Sequence, residues 1–355
     1  MRPYLPILLR FLLPFLFLGE GCTPGPDIQV YLDSLSNPLL RTVDAVGRIA
    51  TDELSEVTEV GYCWNETGNP TVADQRMVIG KPLVLDLSAT VGNFEPDKKY
   101  YLKAYAQHNN GDVFYSQEQV FTTWNGTLQD VEGRMYKGVQ IGNQGWMAEN
   151  LRTTRYADGT PINIGTGIAN NRTYWYGSNH VYVPGFDQDI DQDGDFDAQD
   201  SLLYVNQHGL LYTWHAAANE FQTFPGQKVR PFLTDICPKG WHLPSDMEFQ
   251  DLRNFLAVQY GYGEYAHHLT SKTGWLDGLN GLDTYGFNMF PGGYWHEPGA
   301  THTNLLGRAA FLWMSTSGND ANAFYVQMDN FDKKFVTGII GKKEHALCVR
   351  CLKDK

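Results

Sequence analysis

The sharpest chemical signal in the chain is a run of twelve residues, Asp189-Ile-Asp-Gln-Asp-Gly-Asp-Phe-Asp-Ala-Gln-Asp200. Carboxylates occupy its positions 1, 3, 5, 9 and 12 (Asp189, Asp191, Asp193, Asp197 and Asp200), with Gly194 at position 6 and apolar Phe196 at position 8. That is the ligand spacing of an EF-hand-type loop, in which Asp195 at position 7 offers its backbone carbonyl. Carboxylates this dense repel one another unless a cation neutralises them, so calcium is the expected ion.

Other chemistry is scarce. No G-x-S-x-G, H-E-x-x-H, Walker loop or dinucleotide fingerprint occurs. His296-Glu297 begins like a zinc motif, but Pro298 blocks the helix that would align a second histidine, and His302 has the wrong spacing. Tyr294 and Trp295, in a glycine-rich stretch beside His296-Glu-Pro-Gly299, are expected to form an exposed pair for ligand stacking. The remaining tryptophans read as buried scaffold, because large aromatic side chains are mostly core.

The elements that must position these groups are clearest in Cys237-Pro-Lys-Gly-Trp-His-Leu-Pro-Ser-Asp-Met-Glu-Phe-Gln-Asp-Leu252. Ser245 with Glu248 three residues on is a capping box, and Pro244 stops any helix arriving from upstream. Phe249, Leu252, Phe255 and Leu256 then form one apolar stripe, leaving Gln250, Asp251 and Arg253 for water. Within this segment His242 is expected to help seat the helix. Farther along, Leu347, Val349 and Cys351 alternate with Cys348, Arg350 and Leu352, as in a half-buried strand. Upstream, Arg134 to Met147 reads as two strands joined at Gly142-Asn143.

Three motifs carry a resemblance: Cys237-Pro-Lys-Gly-Trp-His-Leu-Pro-Ser with Glu248-Phe249, the closing Val349-Arg-Cys-Leu-Lys-Asp354, and Ile141-Gly-Asn-Gln-Gly-Trp-Met-Ala-Glu-Asn-Leu151. Together they resemble the Fibrobacter succinogenes major paralogous domain of bacterial surface lipoproteins, over roughly residues 130 to 354. More distantly, that family is similar to the C-type-lectin-like and formylglycine-generating-enzyme folds. The resemblance implies an α+β, C-type-lectin-like domain with no known reaction. It leaves an oxidase-type enzyme as the alternative, since formylglycine-generating enzymes bind copper through a cysteine pair near their end. The sugar-binding signature of C-type lectins is not matched, because Glu297-Pro-Gly299 lacks its Asn and no W-N-D occurs. The acidic run, with Asp at position 12 and Ser201-Leu-Leu-Tyr204 after it, looks like a dockerin-type calcium loop inserted at 187–201.

Cysteine geometry limits the pairings. Setting Cys22 aside, four cysteines allow three full pairings. On one extended strand, three rises of about 3.3 Å would hold Cys348 and Cys351 roughly 10 Å apart on opposite faces. A bridge needs less than about 7 Å. Cys351, on the apolar face, is therefore expected to pair with Cys237 in an oxidising compartment, leaving Cys348 free. Opposite faces also argue against both thiolates meeting on one copper ion. Cys63, in Gly61-Tyr-Cys-Trp64, reads as a small buried apolar residue.

At 355 residues with 14% aromatics the chain can bury two cores. A net charge of −13 with no Lys/Arg cluster argues against nucleic acid or an anionic lipid surface as partner. Arg2 and Arg10 flank apolar residues before Phe11-Leu-Leu-Pro-Phe-Leu-Phe-Leu18, a run that fits a secretory signal and is too short to span a bilayer. Cys22 then stands where a bacterial lipoprotein is cleaved and lipidated, although Gly19 and Glu20 depart from the usual residues before it. The expected order is a signal peptide over 1–21, a tether over 22–27, a sandwich over 28–123, a linker over 124–129 and the large domain over 130–355. Strands are expected over 28–32, 57–64, 83–87, 100–106 and 119–122, with turns at Asn69-Pro70 and Asn110-Gly111. Tyr100 follows a Pro-containing turn at the spacing of a tyrosine corner, so the first domain resembles a fibronectin type III module of the kind common in Bacteroidetes surface proteins. Taken together, these expectations describe a lipid-anchored, non-catalytic surface protein that recognises an extracellular glycan or protein. A purely structural envelope component is the other non-enzymatic alternative. The membrane is met through the lipid alone.

Overall fold

The computed structural model describes residues 27–165, 180–182, 198–219, 235–263, 265–296, 305–319, 321–329, 331, 335–341 and 345–355. The first domain is a two-layer β-sandwich. Its strands are β1 (Gln29–Ser36), β2 (Thr42–Ala50), β3 (Val57–Asn65), β4 (Gln75–Gly80), β5 (Ala89–Gly92), β6 (Lys99–His108), β7 (Val113–Tyr115) and β8 (Gln119–Thr122). One sheet runs β1-β2-β5; the other runs β4-β3-β6-β7, with β8 also on β6. Alternate residues point inward to a single core that holds Val43, Val60, Tyr62, Trp64, Val91, Phe94 and Leu102. The tyrosine corner is present: the Tyr100 hydroxyl accepts the Glu95 N–H at 3.0 Å.

Residues 83–87 do not form the expected strand. Pro82 has no N–H to give a ladder, and the segment meets β2 through an Arg48–Asp86 bridge, an Ile49 N–H to Leu85 carbonyl bond of 2.9 Å and a Leu87 N–H to Gly47 carbonyl bond of 2.8 Å. Four strands without an expectation, β2, β4, β5 and β7, complete the two sheets.

The segment read as a linker carries a strand, β9 (Thr127–Gln129), which pairs with β10 (Met135–Ile141). Then come β11 (Gln144–Met147), β12 (Asn163–Gly165), β13 (His180–Tyr182), helix α1 (Ala198–His208), β14 (Leu211–Thr213) and helix α2 (Trp214–Ala218). β15 (Trp241–His242) and helix α3 (Asp246–Tyr260) precede β16 (Trp295–His296), β17 (Ala309–Ser317), β18 (Asn322–Asp329), β19 (Phe335–Gly341), β20 (His345–Leu347) and β21 (Leu352–Lys353). Three sheets result: β15-β21-β11-β10-β9, β12-β13-β14-β20-β16, and the meander β17-β18-β19. Ile141 faces Gln144 across the two-residue Gly142-Asn143 turn, where Gly142 has φ +58 and the Phe255 ring lies where a Cβ would point. Among the described residues no helix is long and apolar enough to cross a membrane.

The closing segment is not half-buried, as its alternation suggested. Leu347, Val349 and Cys351 enter one core with Tyr212, Trp214 and Trp313, while Ala346, Cys348 and Leu352 enter a second with Trp146, Phe249 and Leu312. The segment divides two cores, so both of its faces are covered. β17 does the same, sending Phe311 and Trp313 one way and Leu312 and Met314 the other. Buried indoles keep their N–H bonded, Trp313 to the Tyr212 carbonyl at 2.6 Å and Trp214 to the Met314 carbonyl at 2.8 Å.

The two domains meet at one end of the sandwich. Asn37 donates to the Asn143 carbonyl, the Arg41 N–H to the Gln140 side chain, and Gln140 back to Thr42. Trp124 packs edge-on against Trp241, with ring centres 5.3 Å apart.

Candidate functional site

Helix α3 opens with the expected capping box: the Ser245 hydroxyl accepts from the Glu248 N–H, and the Glu248 carboxylate accepts from the Ser245 N–H at 2.8 Å. The carboxylate has a second task. Its Oε1 lies 2.8 Å from His242 Nε2, and His242 Nδ1 lies 2.6 Å from Asp354 Oδ1. One imidazole thereby ties the start of α3 to the last strand. The Glu248 hydrogen bond raises the His242 pKa to about 9 against a burial penalty, with Asp354 adding to it. Burial works against the Glu248 charge, yet the bonds from His242 and Ser245 bring its pKa down to about 2. At neutral pH the group is an imidazolium between two carboxylates.

The other two motifs converge on the same seam. Cys237 and Cys351 form a disulfide with α-carbons 5.8 Å apart, as expected. The Gln144 amide donates to the Glu248 carbonyl at 2.9 Å. Asn150 donates to the His208 carbonyl and accepts from Arg350 Nε at 2.7 Å. Arg350 is 1% exposed. Besides Asn150 it donates to the Met147, Phe287 and Asn288 carbonyls, so none of its four acceptors is a carboxylate. Burial lowers its pKa to about 10, still above neutrality. Asp235 caps the seam from beneath, accepting the Cys237 and Leu243 N–H groups at 2.8 and 2.7 Å.

Cys348 is free and buried, like Cys63. Burial pushes the Cys348 thiol up to about 12, and it donates to the His208 carbonyl. A thiol in that state is neither nucleophile nor ready metal ligand. With Cys351 bonded to Cys237 and in the other core, the terminal pair does not converge on one point.

The expected stacking pair needs correction. Trp295 is 5% exposed, in the second core, because pairing of β16 with β20 sets Trp295 opposite Ala346. Tyr294 is half-buried, its ring 5.0 Å from Phe311. His296, the next residue of β16, is exposed and stacked on His345 with ring centres 4.4 Å apart. Asp189, Asp191, Asp193, Asp195 and Asp197 of the acidic run lie outside the described residues, as does Cys22; Asp200 is a backbone position in the first turn of α1.

A surface the sequence did not single out is a cavity of about 220 Å³ bounded by Trp275, Leu276, Asp277, Gly307, Arg308 and Phe331. Arg308 pairs with Asp277 at 2.9 Å beside it, and the Leu276 N–H reaches the Gly307 carbonyl. Phe331 is 82% exposed. Asp277 and Leu305, neither of them glycine, both have φ near +58, a conformation that costs of order 1–2 kcal/mol and gathers at binding sites. Nothing in the sequence pointed to it, since Arg308 and Phe331 arrive from distant strand ends.

The family model described as the Fibrobacter succinogenes major domain matches residues 139–353. No curated protein matches the chain. Among solved structures, the chain is similar to the sensor domain of the anti-sigma factor RsgI4 in Pseudobacteroides cellulosolvens, at 22% identity and a TM-score of 0.22, covering 27% of this chain and 94% of that one. It is also similar to a fibronectin type III domain derived from human KIAA0970 protein, at 20% identity and a TM-score of 0.21, covering 32% of this chain and 86% of that one.

Proposed function

The chain belongs to the Fibrobacter succinogenes major domain family, and from that premise we propose that it is a non-catalytic binding module displayed outside a bacterial cell. It is held to the membrane by lipid on Cys22 and recognises an extracellular glycan or protein. The sandwich serves as the stalk and the lectin-like α+β domain as the recognising body, with calcium on Asp189–Asp200 ordering one inserted loop.

One observation carries the reading. The residues of the three motifs that resemble reactive groups are spent on closure: His242 is clamped by two carboxylates, Cys351 is in a disulfide, the Cys348 thiol is in the core and Arg350 is wrapped in carbonyls. None of them lines either of the two cavities found among the described residues. A framework of this kind leaves recognition to surface between the motifs, as in other folds where loops carry function on a rigid scaffold. We assign the contact to the Phe331 cavity, where an exposed ring adjoins an Asp–Arg pair suited to hydroxyl or peptide groups.

A glycan array and an extracellular-protein screen with the full chain test this. Phe331→Ala and Arg308→Ala are expected to weaken the hit about tenfold, as loss of an aromatic or Arg anchor does. An unchanged affinity in both variants would remove the assignment of the surface. Copper retention with thiol-dependent oxygen uptake would replace the binding role by the oxidase alternative.

A further inference from the structure

The end of the sandwich opposite the large domain carries an apolar tip. Leu83 is 90% exposed, Val84 62% and Leu85 45%, and Val78 and Ile79 at the end of edge strand β4 are each about half exposed. Five apolar side chains in eight residues facing water form a patch that a free surface rarely tolerates.

Its place in the fold identifies what covers it. β1 and β2 are antiparallel with Gln29 opposite Ala50, and Leu85 accepts from Ile49 on the other side of β2. Following the Arg48–Asp86 bridge outward, Leu83 lies beyond the end of β2. The tip is therefore at the end where the chain enters at Asp27. The large domain is bonded to Asn37, Arg41 and Thr42, a full strand length away.

We infer that Leu83, Val84 and Leu85 dip into the lipid surface that holds the anchor, so that the sandwich stands on the membrane and lifts the large domain away from it. This rests on lipidation at Cys22. From Cys22 to Asp27 the chain has five steps of at most roughly 3.5 Å, so Asp27, at the same end of the sandwich as the tip, is kept within about 17 Å of the anchor. Attachment at a membrane surface grows with the apolar area buried there, so the tip adds to the anchor. Asp52, Glu53 and Glu56, exposed in the β2–β3 connection at this end, match a zwitterionic surface better than an anionic one.

The test uses the full chain purified from membranes and placed in phosphatidylethanolamine–phosphatidylcholine vesicles. Leu83→Cys is labelled with the polarity-sensitive dye NBD, and Val258→Cys, 82% exposed on α3, is the control. Cys63 and Cys348 are buried, so the new thiol takes the label. Mass spectrometry reads the acyl group on Cys22. The expected result is an emission shifted to the blue and quenched by nitroxide lipid at position 83, with neither at 258. If Cys22 is acylated and the two positions behave alike, the membrane contact is wrong and the anchor stands. If Cys22 carries no acyl group, both fail. A position-83 label shielded without vesicles, in a protein that sediments as a dimer, would assign the tip to a second copy and overturn the inference.

Discussion

Replacing His242 by Gln should destabilise the large domain by an amount that depends on pH. The folded imidazole titrates near 9 against an ordinary value of 6.5. The stabilisation this represents is complete below about pH 6.5, where folded and unfolded forms are both protonated, and is lost as pH rises through about 9. At about 1.4 kcal/mol per unit the rise corresponds to roughly 3 kcal/mol. His242 is about one-third exposed and Asp354 about half, so screening reduces this to ~1–2 kcal/mol. For a domain of this size that is a loss of roughly 2–8 °C in melting temperature. Calorimetric melting of wild type and His242→Gln at pH 6, 8 and 10 measures it. The gap between the two proteins should be widest at pH 6 and shrink by at least half at pH 10. A gap that stays constant or widens with pH would refute the assignment of a charged imidazole to this seam. Imidazole NMR adds an independent reading, because Glu248→Gln should draw the His242 midpoint down toward 6.5.

Cys351→Ser, or reduction of the wild type, opens a bridge between residues 114 apart in sequence. Loss of about 4–5 kcal/mol is expected from the loop it closes, seen as a lower denaturant midpoint of the large domain. Arg350→Met strands the Phe287, Asn288 and Met147 carbonyls, and should cost ~3–5 kcal/mol by chemical denaturation. For the acidic run, titration calorimetry should show calcium binding at or below millimolar concentration, lost in Asp189→Asn/Asp193→Asn; heat identical in the variant would exclude those ligands.

What could be read in the sequence was local. The Ser245–Glu248 box, the Gly142-Asn143 hairpin and the Tyr100 corner are set by residues a few positions apart, and all three are present. The Cys237–Cys351 pairing followed from how far an extended chain can reach, and it holds. Failures came where a second layer decides. Trp295 was expected outside because glycines precede it, but pairing with β20 turned it inward. Alternation around Cys348 implied one wet face; a second core covers it, and this is why Arg350 is dry. Leu83–Leu87 has strand-like residues and continues the line of β5 along β2, but with Pro82 at its start it makes a single bridge, at Asp86, rather than a ladder. The cavity beside Phe331 is assembled from ends of elements far apart in the chain, so no spacing could announce it.

The placement of residues 346–352 between two hydrophobic interiors also fixes an order of events. Neither interior is complete until this stretch has been synthesised and docked, because each takes side chains from it. It also means that a chain truncated before Ala346 would be left with two uncovered interiors rather than a slightly shortened fold.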